Sequence, residues 1–247
     1  MMVLTGKTAV VTGAAGTMGN AVARALLEDG AQVALVDIDA LRLDGLTRFL
    51  RGTTLAVPCD VTDSRAVAAA LQNVEKLLGP VDILVNNAGV LSNEKSEATD
   101  DAEWRRVLAV NLDGAFFWAR AALPAMKKRG WGRIINVCSL EAKTGGLTAG
   151  AAYAASKGAL ASLTFSLARE AAEHGVTVNG VSPAYVKTQM VTEQLTEAQR
   201  RQLLTTIPVG RFCEPEEFAH AVRFLASPLA GFITGEILDV NGGLQMD

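Results

Sequence analysis

The sequence has few of the residues that bind metals or cross-link chains. It contains 2 His and 3 Cys among 247 residues, and His174 and His220 both lie in charged segments with a helical pattern. This disfavours a zinc site and a Ser/His/Asp hydrolase triad. Cys59, Cys138 and Cys213 are odd in number and far apart, which favours reduced thiols over a disulfide or a metal site.

Long apolar runs and blocks of basic charge are also missing. No apolar stretch approaches the ~20 residues that span a bilayer, and the first residues do not resemble a signal peptide. The net charge is −3, and no basic run offers a surface for phosphate backbones or acidic membranes. We therefore expect a soluble, cytoplasmic protein that binds neither nucleic acid nor membrane.

Short apolar runs, each bounded by Gly, Pro or Asp, alternate with segments of helical periodicity. The runs cover residues 8–12, 32–37, 53–58, 82–86, 133–137, 176–182 and 236–240. Continuous apolar strands separated by helices are typical of a parallel sheet covered on both faces. Without a repeat or a linker, the pattern predicts one domain, 1–247, with a doubly wound Rossmann-type α/β fold and a seven-stranded parallel sheet.

The turn after the first strand reads TGAAGTMG, with glycines at Gly13, Gly16 and Gly19. This is G-x-x-G-x-x-G and not the dinucleotide fingerprint G-x-G-x-x-G, so the spacing alone decides nothing. In the predicted fold, however, the first strand-to-helix turn directs backbone N–H groups and a helix N-terminus at a pyrophosphate. The position of the turn therefore predicts a dinucleotide site.

Asp37 ends the second strand about twenty residues further on, as expected for a residue that contacts a ribose. Its carboxylate can accept hydrogen bonds from both hydroxyls of an adenosine ribose and would repel a 2′-phosphate. Arg42 is the nearest basic residue, so we expect NAD rather than NADP. The alternative is that Asp37 merely caps the following helix, although Asp39 could do the same.

Tyr153 and Lys157 lie four residues apart in a segment with helical periodicity, so they share one helical face. A free phenol has a pKa near ~10, too high for a base at neutral pH. An ammonium about 6 Å away at an effective dielectric near ~20 would lower that pKa by roughly two units. We therefore expect Lys157 to make Tyr153 a general acid/base.

In register, these motifs resemble the short-chain dehydrogenase/reductase family, of the small single-domain type, over essentially the whole chain. The family turn is usually T-G-x-x-x-G-x-G, so Thr17 stands where the middle glycine is usual. We expect Gly16 to supply the missing flexibility and the turn still to bind its cofactor.

The resemblance implies a cofactor site for NAD that draws on several segments. Asp60 and Val61 resemble the pair that holds the adenine ring, residues 86–89 form the family's N-N-A-G, and residues 183–188 resemble P-G-x-x-x-T, with Ala184 in place of Gly. The implied cofactor residues are Gly13, Gly16, Thr17, Met18, Gly19, Asp37, Asp60, Val61, Asn87, Ala88, Gly89, Tyr153, Lys157, Pro183, Val186 and Thr188.

The resemblance also completes a catalytic set of Asn111, Ser139, Tyr153 and Lys157. Ser139 ends the fifth strand fourteen residues before Tyr153 and would bind the reacting oxygen. Asn111 matches the family residue that anchors a water linking Lys157 to solvent. The implied reaction is reversible hydride transfer between a secondary alcohol or ketone and C4 of the nicotinamide, with Tyr153 exchanging the hydroxyl proton.

Other functions remain as alternatives. The overall length and the C-terminal TGEILDVNGGLQMD also suggest an NADPH-dependent 3-oxoacyl-carrier-protein reductase, against which Asp37 and the lack of a basic docking patch both argue. A non-catalytic NAD-binding sensor or scaffold is a further possibility, although such proteins often have an incomplete catalytic set. The four-residue Tyr-to-Lys spacing disfavours the superfamily's enoyl reductases, whose spacing is longer.

The substrate side of the site is less defined by the sequence. Residues 185–211 form a polar insertion that we expect to act as a substrate lid. Glu141, Lys143 and Thr144 point to a polar substrate, whereas an apolar one would be lined by Leu91, Leu147, Met190 and Leu195. Apolar faces on the helices of residues 102–128 and 151–173 lead us to expect a homotetramer, as related proteins usually form.

Overall fold

The computed structural model describes residues 2–146, 148–188 and 196–246. Its sheet has seven parallel strands in the order β3-β2-β1-β4-β5-β6-β7. The strands are β1 (Thr8–Thr12), β2 (Gln32–Asp37), β3 (Thr54–Pro58), β4 (Val81–Asn86), β5 (Gly132–Val137), β6 (Val176–Pro183) and β7 (Ile237–Val240). The predicted doubly wound, seven-stranded fold is confirmed.

Helices cover both faces of the sheet. They are α1 (Thr17–Glu28), α2 (Ala40–Phe49), α3 (Ser64–Leu78), α4 (Asp101–Leu108), α5 (Gly114–Arg129), α6 (Glu141–Thr144), α7 (Ala151–Ala171), α8 (Glu197–Thr206) and α9 (Pro215–Ala226). One core cluster joins α1, α2 and α9 to one face, and a second joins α3, α5 and α7 to the other. Fully buried Phe218 and Trp118 anchor the two cores.

The central strands are apolar because both of their faces are covered. All residues of β1, β4 and β5 are buried, whereas the edge strand β7 is half-exposed throughout. Strand order reverses between β1 and β4, and ligands of open α/β sheets bind at the carboxyl ends of the strands at such a switch point. The loops after β1, β4, β5 and β6 therefore meet around one candidate site.

The predicted helix over residues 102–128 is two helices. A single π-turn, Ala109–Asp113, separates α4 from α5 and contains Asn111. Such π-bulges occur frequently at functional sites. Pro124 is tolerated inside α5.

Three further properties concern the described part of the chain. Within it, no helix has both the length and the apolar character needed to cross a membrane. No group of three or more His, Cys, Asp or Glu among these residues is arranged to hold a metal ion. All three cysteines are free thiols, and burial raises the pKa of Cys59 and of Cys138 to about 11.

Candidate active site

The turn between β1 and α1 depends on two of its three glycines. Gly13 has φ +63°, a left-handed conformation that favours glycine. A Cβ on Gly19 would lie 2.2 Å from the carbonyl oxygen of Gly13 and 2.8 Å from Asn87 Nδ2. Any side chain at Gly19 would therefore force apart the turn and the loop after β4.

Gly16 does not supply the flexibility that the sequence predicted. It has φ −78° and ψ 162°, extended backbone that any residue adopts, and a Cβ there would meet only Gly13 O, at 3.4 Å. That expectation was wrong, because Gly13 provides the left-handed residue. Thr17 is exposed, and it lines a cavity of about 590 Å³ together with Asn20 and Arg42. Met18 packs against the core.

The residues of this turn fit the pyrophosphate of a dinucleotide. Helix α1 has no side-chain cap at Gly16, whereas Asp39, Asp63 and Asp100 cap α2, α3 and α4. The N–H groups in the first turn of a helix have no intrahelical acceptor, and with the helix dipole they favour an anion.

Asp37 is fixed beside this turn. Its Oδ2 accepts from Ala15 N at 3.0 Å and its Oδ1 from Asp39 N at 3.1 Å. Asp39 caps α2 by accepting from Arg42 N at 3.0 Å, so the alternative that Asp37 is merely the helix cap is wrong. Arg42 Nε lies 3.3 Å from Asp39 Oδ2.

The N-N-A-G segment after β4 is bonded to the end of β1. The N–H groups of Asn87 and Ala88 both donate to Thr12 Oγ1 at 3.0 Å. Asn87 Nδ2 donates to the carbonyls of Thr12, at 2.9 Å, and Gly13, at 3.1 Å. Asn86 is turned away into the core, where its amide donates to Asn136 Oδ1 at 2.8 Å.

The two residues after β3 differ in accessibility. Asp60 is exposed, and its carboxylate accepts from the backbone and hydroxyl of Thr62 at 2.9 and 2.8 Å. Val61 is buried, and its side chain packs so closely on Gly114 that a Cβ there would be 2.8 Å from Val61 Cγ2. Val61 thus fastens this loop to α5.

The segment after β6 continues the same edge of the site. The carbonyl of Pro183 accepts from Leu140 N at 3.1 Å, and Thr188 N donates to Val186 O at 2.8 Å. Val186 is buried. Within the described residues, the one non-glycine residue with positive φ is Tyr185, at +42°, so Ala184 tolerates the loss of the family glycine.

Three of the predicted catalytic residues converge where β5 ends. Tyr153 and Lys157 lie near the start of α7, and Lys157 Nζ is 5.8 Å from the centroid of the Tyr153 ring. Lys157 Nζ also donates to Val137 O at 2.7 Å. Ser139 is buried two residues beyond Val137, and its side chain acts on Tyr153 by lowering the phenol pKa.

Asn111 joins this group through Ser156. Its Nδ2 donates to Ser156 Oγ at 3.0 Å, and Ser156 Oγ donates to Tyr153 O at 2.7 Å. Asn111 Oδ1 accepts from Val90 N at 2.8 Å. A Cβ on Gly89 would lie 3.3 Å from Asn111 Oδ1 and 3.5 Å from Lys157 Nζ, so the loop after β4 runs along this group.

The protonation of the two central side chains differs from the sequence-based expectation. The pKa of Tyr153 is raised, chiefly by burial; the hydrogen bond from Ser139 lowers it, and the charge of Glu141 raises it further. Burial lowers the pKa of Lys157 from 10.5 to about 8. The net lowering of the Tyr153 pKa that the sequence led us to expect is not found, because burial has the larger effect. Tyr153 is therefore a proton donor at neutral pH.

Some predicted substrate residues are placed and others are not. Leu91 is half-buried, whereas Leu147, Met190 and Leu195 lie outside the described residues. Lys143 is directed at Asp239, with Nζ 2.7 Å from Oδ2.

Sequence reasoning missed several partners in the site. These are Val137, Ser156 and Thr148. Ser156 had a signal, since it stands three residues after Tyr153 on the same helical face. The Val137 carbonyl had none, because main-chain acceptors leave no trace in residue type.

Comparison with known proteins agrees with this geometry. A family model described as Enoyl-(Acyl carrier protein) reductase matches residues 13–245. The chain is also 40% identical over 246 residues to 3-oxoacyl-(acyl-carrier-protein) reductase FabG of Vibrio harveyi, covering 99% of this chain and all of the relative. This protein belongs to the short-chain dehydrogenase/reductase family.

Other relatives of this short-chain dehydrogenase/reductase have different substrates in their names. It is 43% identical to galactitol 2-dehydrogenase (L-tagatose-forming) of Cereibacter sphaeroides, over 97% of this chain and 95% of the relative. A protein of Beutenbergia cavernae assigned as an NAD(P)-dependent gluconate 5-dehydrogenase, with NADP bound at low occupancy, matches with a TM-score of 0.90 and 36% identity over 98% of both chains. One of Agrobacterium tumefaciens assigned as a gluconate dehydrogenase matches with a TM-score of 0.93 and 31% identity, over 98% and 97% of the two chains.

Proposed function

We propose that this protein interconverts a secondary alcohol and a ketone with NAD(H), using Tyr153 as the general acid/base. The observation that carries the proposal is the convergence of Tyr153, Ser139 and Lys157 at the carboxyl end of β5. This edge of the sheet also carries the dinucleotide turn, as the fold requires for hydride transfer next to a proton donor.

In the reductive direction the Tyr153 hydroxyl gives its proton to the carbonyl oxygen of the substrate, while Ser139 donates a hydrogen bond to that oxygen. The bound nicotinamide supplies the hydride donor for reduction or the hydride acceptor for oxidation. In the oxidative direction the Tyr153 phenolate removes the hydroxyl proton. Because burial raises the Tyr153 pKa, we expect alcohol oxidation to accelerate, and ketone reduction to slow, as the pH rises above neutrality.

Lys157 and Asn111 act through Tyr153 and its surroundings. The Val137 carbonyl holds the Lys157 ammonium beneath the phenol ring, where its charge favours the phenolate that forms during turnover. Asn111 bonds to Val90 and Ser156, and its role in anchoring a water for proton exchange stays a prediction.

The sixteen cofactor residues named from the sequence stay a proposal, with NAD as the preferred form. Asp37 supports NAD, because its carboxylate is fixed beside the turn and would oppose a 2′-phosphate. Arg42 could favour NADP, since it lines the cavity next to Thr17; its interaction with Asp39 partly neutralises that charge. NADP, bound in the Beutenbergia cavernae structure, is the alternative.

Reduction of a 3-oxoacyl group on a carrier protein is the second candidate function, supported by the FabG relatives. A sensor without turnover is disfavoured, since Asn111, Ser139, Tyr153 and Lys157 are assembled. A homotetramer, supported by the exposed Trp104, Phe116 and Phe165 on α4, α5 and α7, remains a prediction, as do the cytoplasmic location and the lid of residues 185–211.

The test is cofactor reduction and oxidation, followed at 340 nm with NAD and NADP, against secondary alcohols, their ketones and a 3-oxoacyl thioester. We expect Tyr153→Phe to lower turnover by at least ~10²-fold, the range of a lost general acid/base. Asp37→Ala should raise NADP use relative to NAD. Full activity in Tyr153→Phe would refute the assigned chemistry, and preference for the thioester with NADPH would favour the second candidate.

A further inference from the structure

A buried glutamate is hydrogen-bonded to Ser139 through its backbone. Glu141 begins α6 two residues later, and its backbone N–H donates to Ser139 Oγ at 3.2 Å. Only 9% of Glu141 is exposed. Burying a carboxylate is costly unless hydrogen-bond donors surround it, so this position is not that of an ordinary solvated surface acid.

Two threonines surround the carboxylate with donors. Glu141 Oε1 accepts from Thr148 N at 3.3 Å and from Thr148 Oγ1 at 3.0 Å, and Oε2 accepts from Thr144 Oγ1 at 3.2 Å. Thr148 is exposed and Thr144 half-buried. Glu141, Thr144 and Thr148, here called the polar wall, therefore extend from the neighbourhood of Ser139 to solvent.

Both tyrosines of the chain lie within reach of the polar wall. The charge of Glu141 contributes to the raised pKa of Tyr153 and of Tyr185, in each case after the larger effect of burial. Leu140 N donates to Pro183 O at 3.1 Å, so the segment that carries Tyr185 lies beside the one that carries Glu141, and Tyr185 has φ +42°. A non-glycine residue keeps this conformation only where its surroundings hold it, often at a ligand site. The segment of Tyr185 and the polar wall thus lie together beside Ser139.

The chemistry of this wall restricts what can bind there. An ionised carboxylate offers acceptor sites and no donor, so it recognises hydroxyl groups and opposes carboxylates and phosphates. An acyl chain has no hydroxyl that could donate a hydrogen bond to the Glu141 carboxylate. We propose that Glu141 binds a second hydroxyl of the substrate, and that the substrate class is a neutral polyol.

This inference rests on the proposed function, which supplies the reacting alcohol. It goes beyond it by separating neutral polyols from sugar acids, although two structural neighbours are assigned as gluconate dehydrogenases. The polyol named in the galactitol 2-dehydrogenase relative has six carbons, as gluconate does; the two compounds differ in one carboxylate and in the configuration of one hydroxyl-bearing carbon.

The experiment compares the wild type with Glu141→Gln on galactitol, gluconate and the mono-hydroxylated cyclohexanol, measuring kcat and KM at 340 nm. Glutamine keeps the shape and one acceptor oxygen but removes the charge. We expect kcat/KM to fall at least about tenfold for galactitol, change less than about threefold for cyclohexanol, and rise for gluconate, since hydrogen bonds to charged groups are the stronger ones. Any effect of the substitution on the Tyr153 pKa acts equally on both alcohols. The ratio of kcat/KM for galactitol to that for cyclohexanol therefore reports only the contact with the second hydroxyl.

The matched control is Glu173→Gln, because Glu173 is an exposed carboxylate, with 81% of its side chain accessible, next to the start of β6 at the opposite edge of the sheet. Glu173→Gln should leave kcat/KM for galactitol, gluconate and cyclohexanol unchanged. Equal losses on galactitol and cyclohexanol in Glu141→Gln would reduce Glu141 to a structural role and overturn the proposal. A wild type without preference for galactitol over cyclohexanol would overturn it as well.

A binding measurement separates this proposal from the proposed function. Galactitol should raise the Tm of NAD-loaded Tyr153→Phe protein but not of the Tyr153→Phe/Glu141→Gln protein. If no alcohol or ketone turns over, the proposed function fails, while a Glu141-dependent Tm shift would still support polyol binding. The absence of any shift with galactitol in Tyr153→Phe would refute polyol binding.

Discussion

Replacing Lys157 by Met should make the protein more stable at neutral pH while abolishing its activity. Lys157 is 4% exposed, and burial lowers its pKa from 10.5 to about 8. At ~1.4 kcal/mol per pKa unit, keeping this ammonium charged in the folded protein costs about 3 kcal/mol. Met fills a similar volume without a charge.

The variant also loses the hydrogen bond from Lys157 Nζ to Val137 O. Leaving that carbonyl without a donor costs about 1 kcal/mol, so the net gain at pH 7 is about 2 kcal/mol. For a chain of this size, such a gain raises Tm by roughly 4–8 °C.

The pH dependence provides the sharper test. Because the folded-state pKa of Lys157 lies below the unfolded value, the penalty is complete below pH 8 and disappears as the pH rises past 10.5. Thermal unfolding of both proteins between pH 7 and 10.5 should therefore show the advantage of Lys157→Met shrinking across this window. Lys128→Met, at an exposed position on α5, is the control. A Tm difference that stays constant with pH would refute the buried-charge reasoning.

The remaining predictions concern the turn and one ion pair. Gly19→Ala should impair folding or NAD binding, because its Cβ would approach Gly13 O to 2.2 Å, whereas Gly16→Ala should bind NAD nearly as the wild type does. Calorimetric titration measures the NAD Kd of both variants. An equal loss of NAD affinity in the two would contradict this reasoning. Thr17→Gly should change the NAD Kd by less than about threefold, because the side chain is exposed. Arg223→Ala should lower the free energy of unfolding by about 3 kcal/mol, since it leaves the Asp29 carboxylate, which is 2% exposed, without its partner at 2.6 Å. Urea unfolding measures this change. Recovery of the lost stability in Arg223→Ala/Asp29→Asn would confirm that the unpaired carboxylate is the cause.

Much of the fold was predictable because its signals are local. Continuous apolar runs follow from burial on both sheet faces, and Gly30 and Gly79, just after α1 and α3, have the positive φ that is common in glycines at helix C-termini. The π-turn around Asn111 was not predictable, since residues 109–113 carry no Gly or Pro to mark a break. Inside the turn, the Asn111 side chain is hydrogen-bonded to Val90 and Ser156, which lie far from it in the sequence.

The sequence predicted which residues form the catalytic group, but not the direction in which the Tyr153 pKa is shifted. Tyr153, Lys157 and Ser139 could be chosen from spacing and register, and the structure brings them together. The sign of the Tyr153 pKa change depends on how completely the phenol is desolvated, which spacing does not reveal. Glu141 was expected on the substrate side of the site, but its burial and its contacts with Thr144 and Thr148 appear only in the structure.

Hydrogen bonds from Asn87 to Thr12 and Gly13, together with the close approach of Gly19 to Gly13 O, join two loops into one unit. Asp37 and Arg42 lie outside this unit, at the end of β2 and on α2. Mutations at Arg42 can therefore change the preferred dinucleotide without breaking a bond of the turn, whereas replacing Asp37 also removes its bond to Ala15 N. Protein engineers who wish to change the dinucleotide can therefore vary α2 around Arg42, whereas Gly13, Gly19 and Asn87 should be kept.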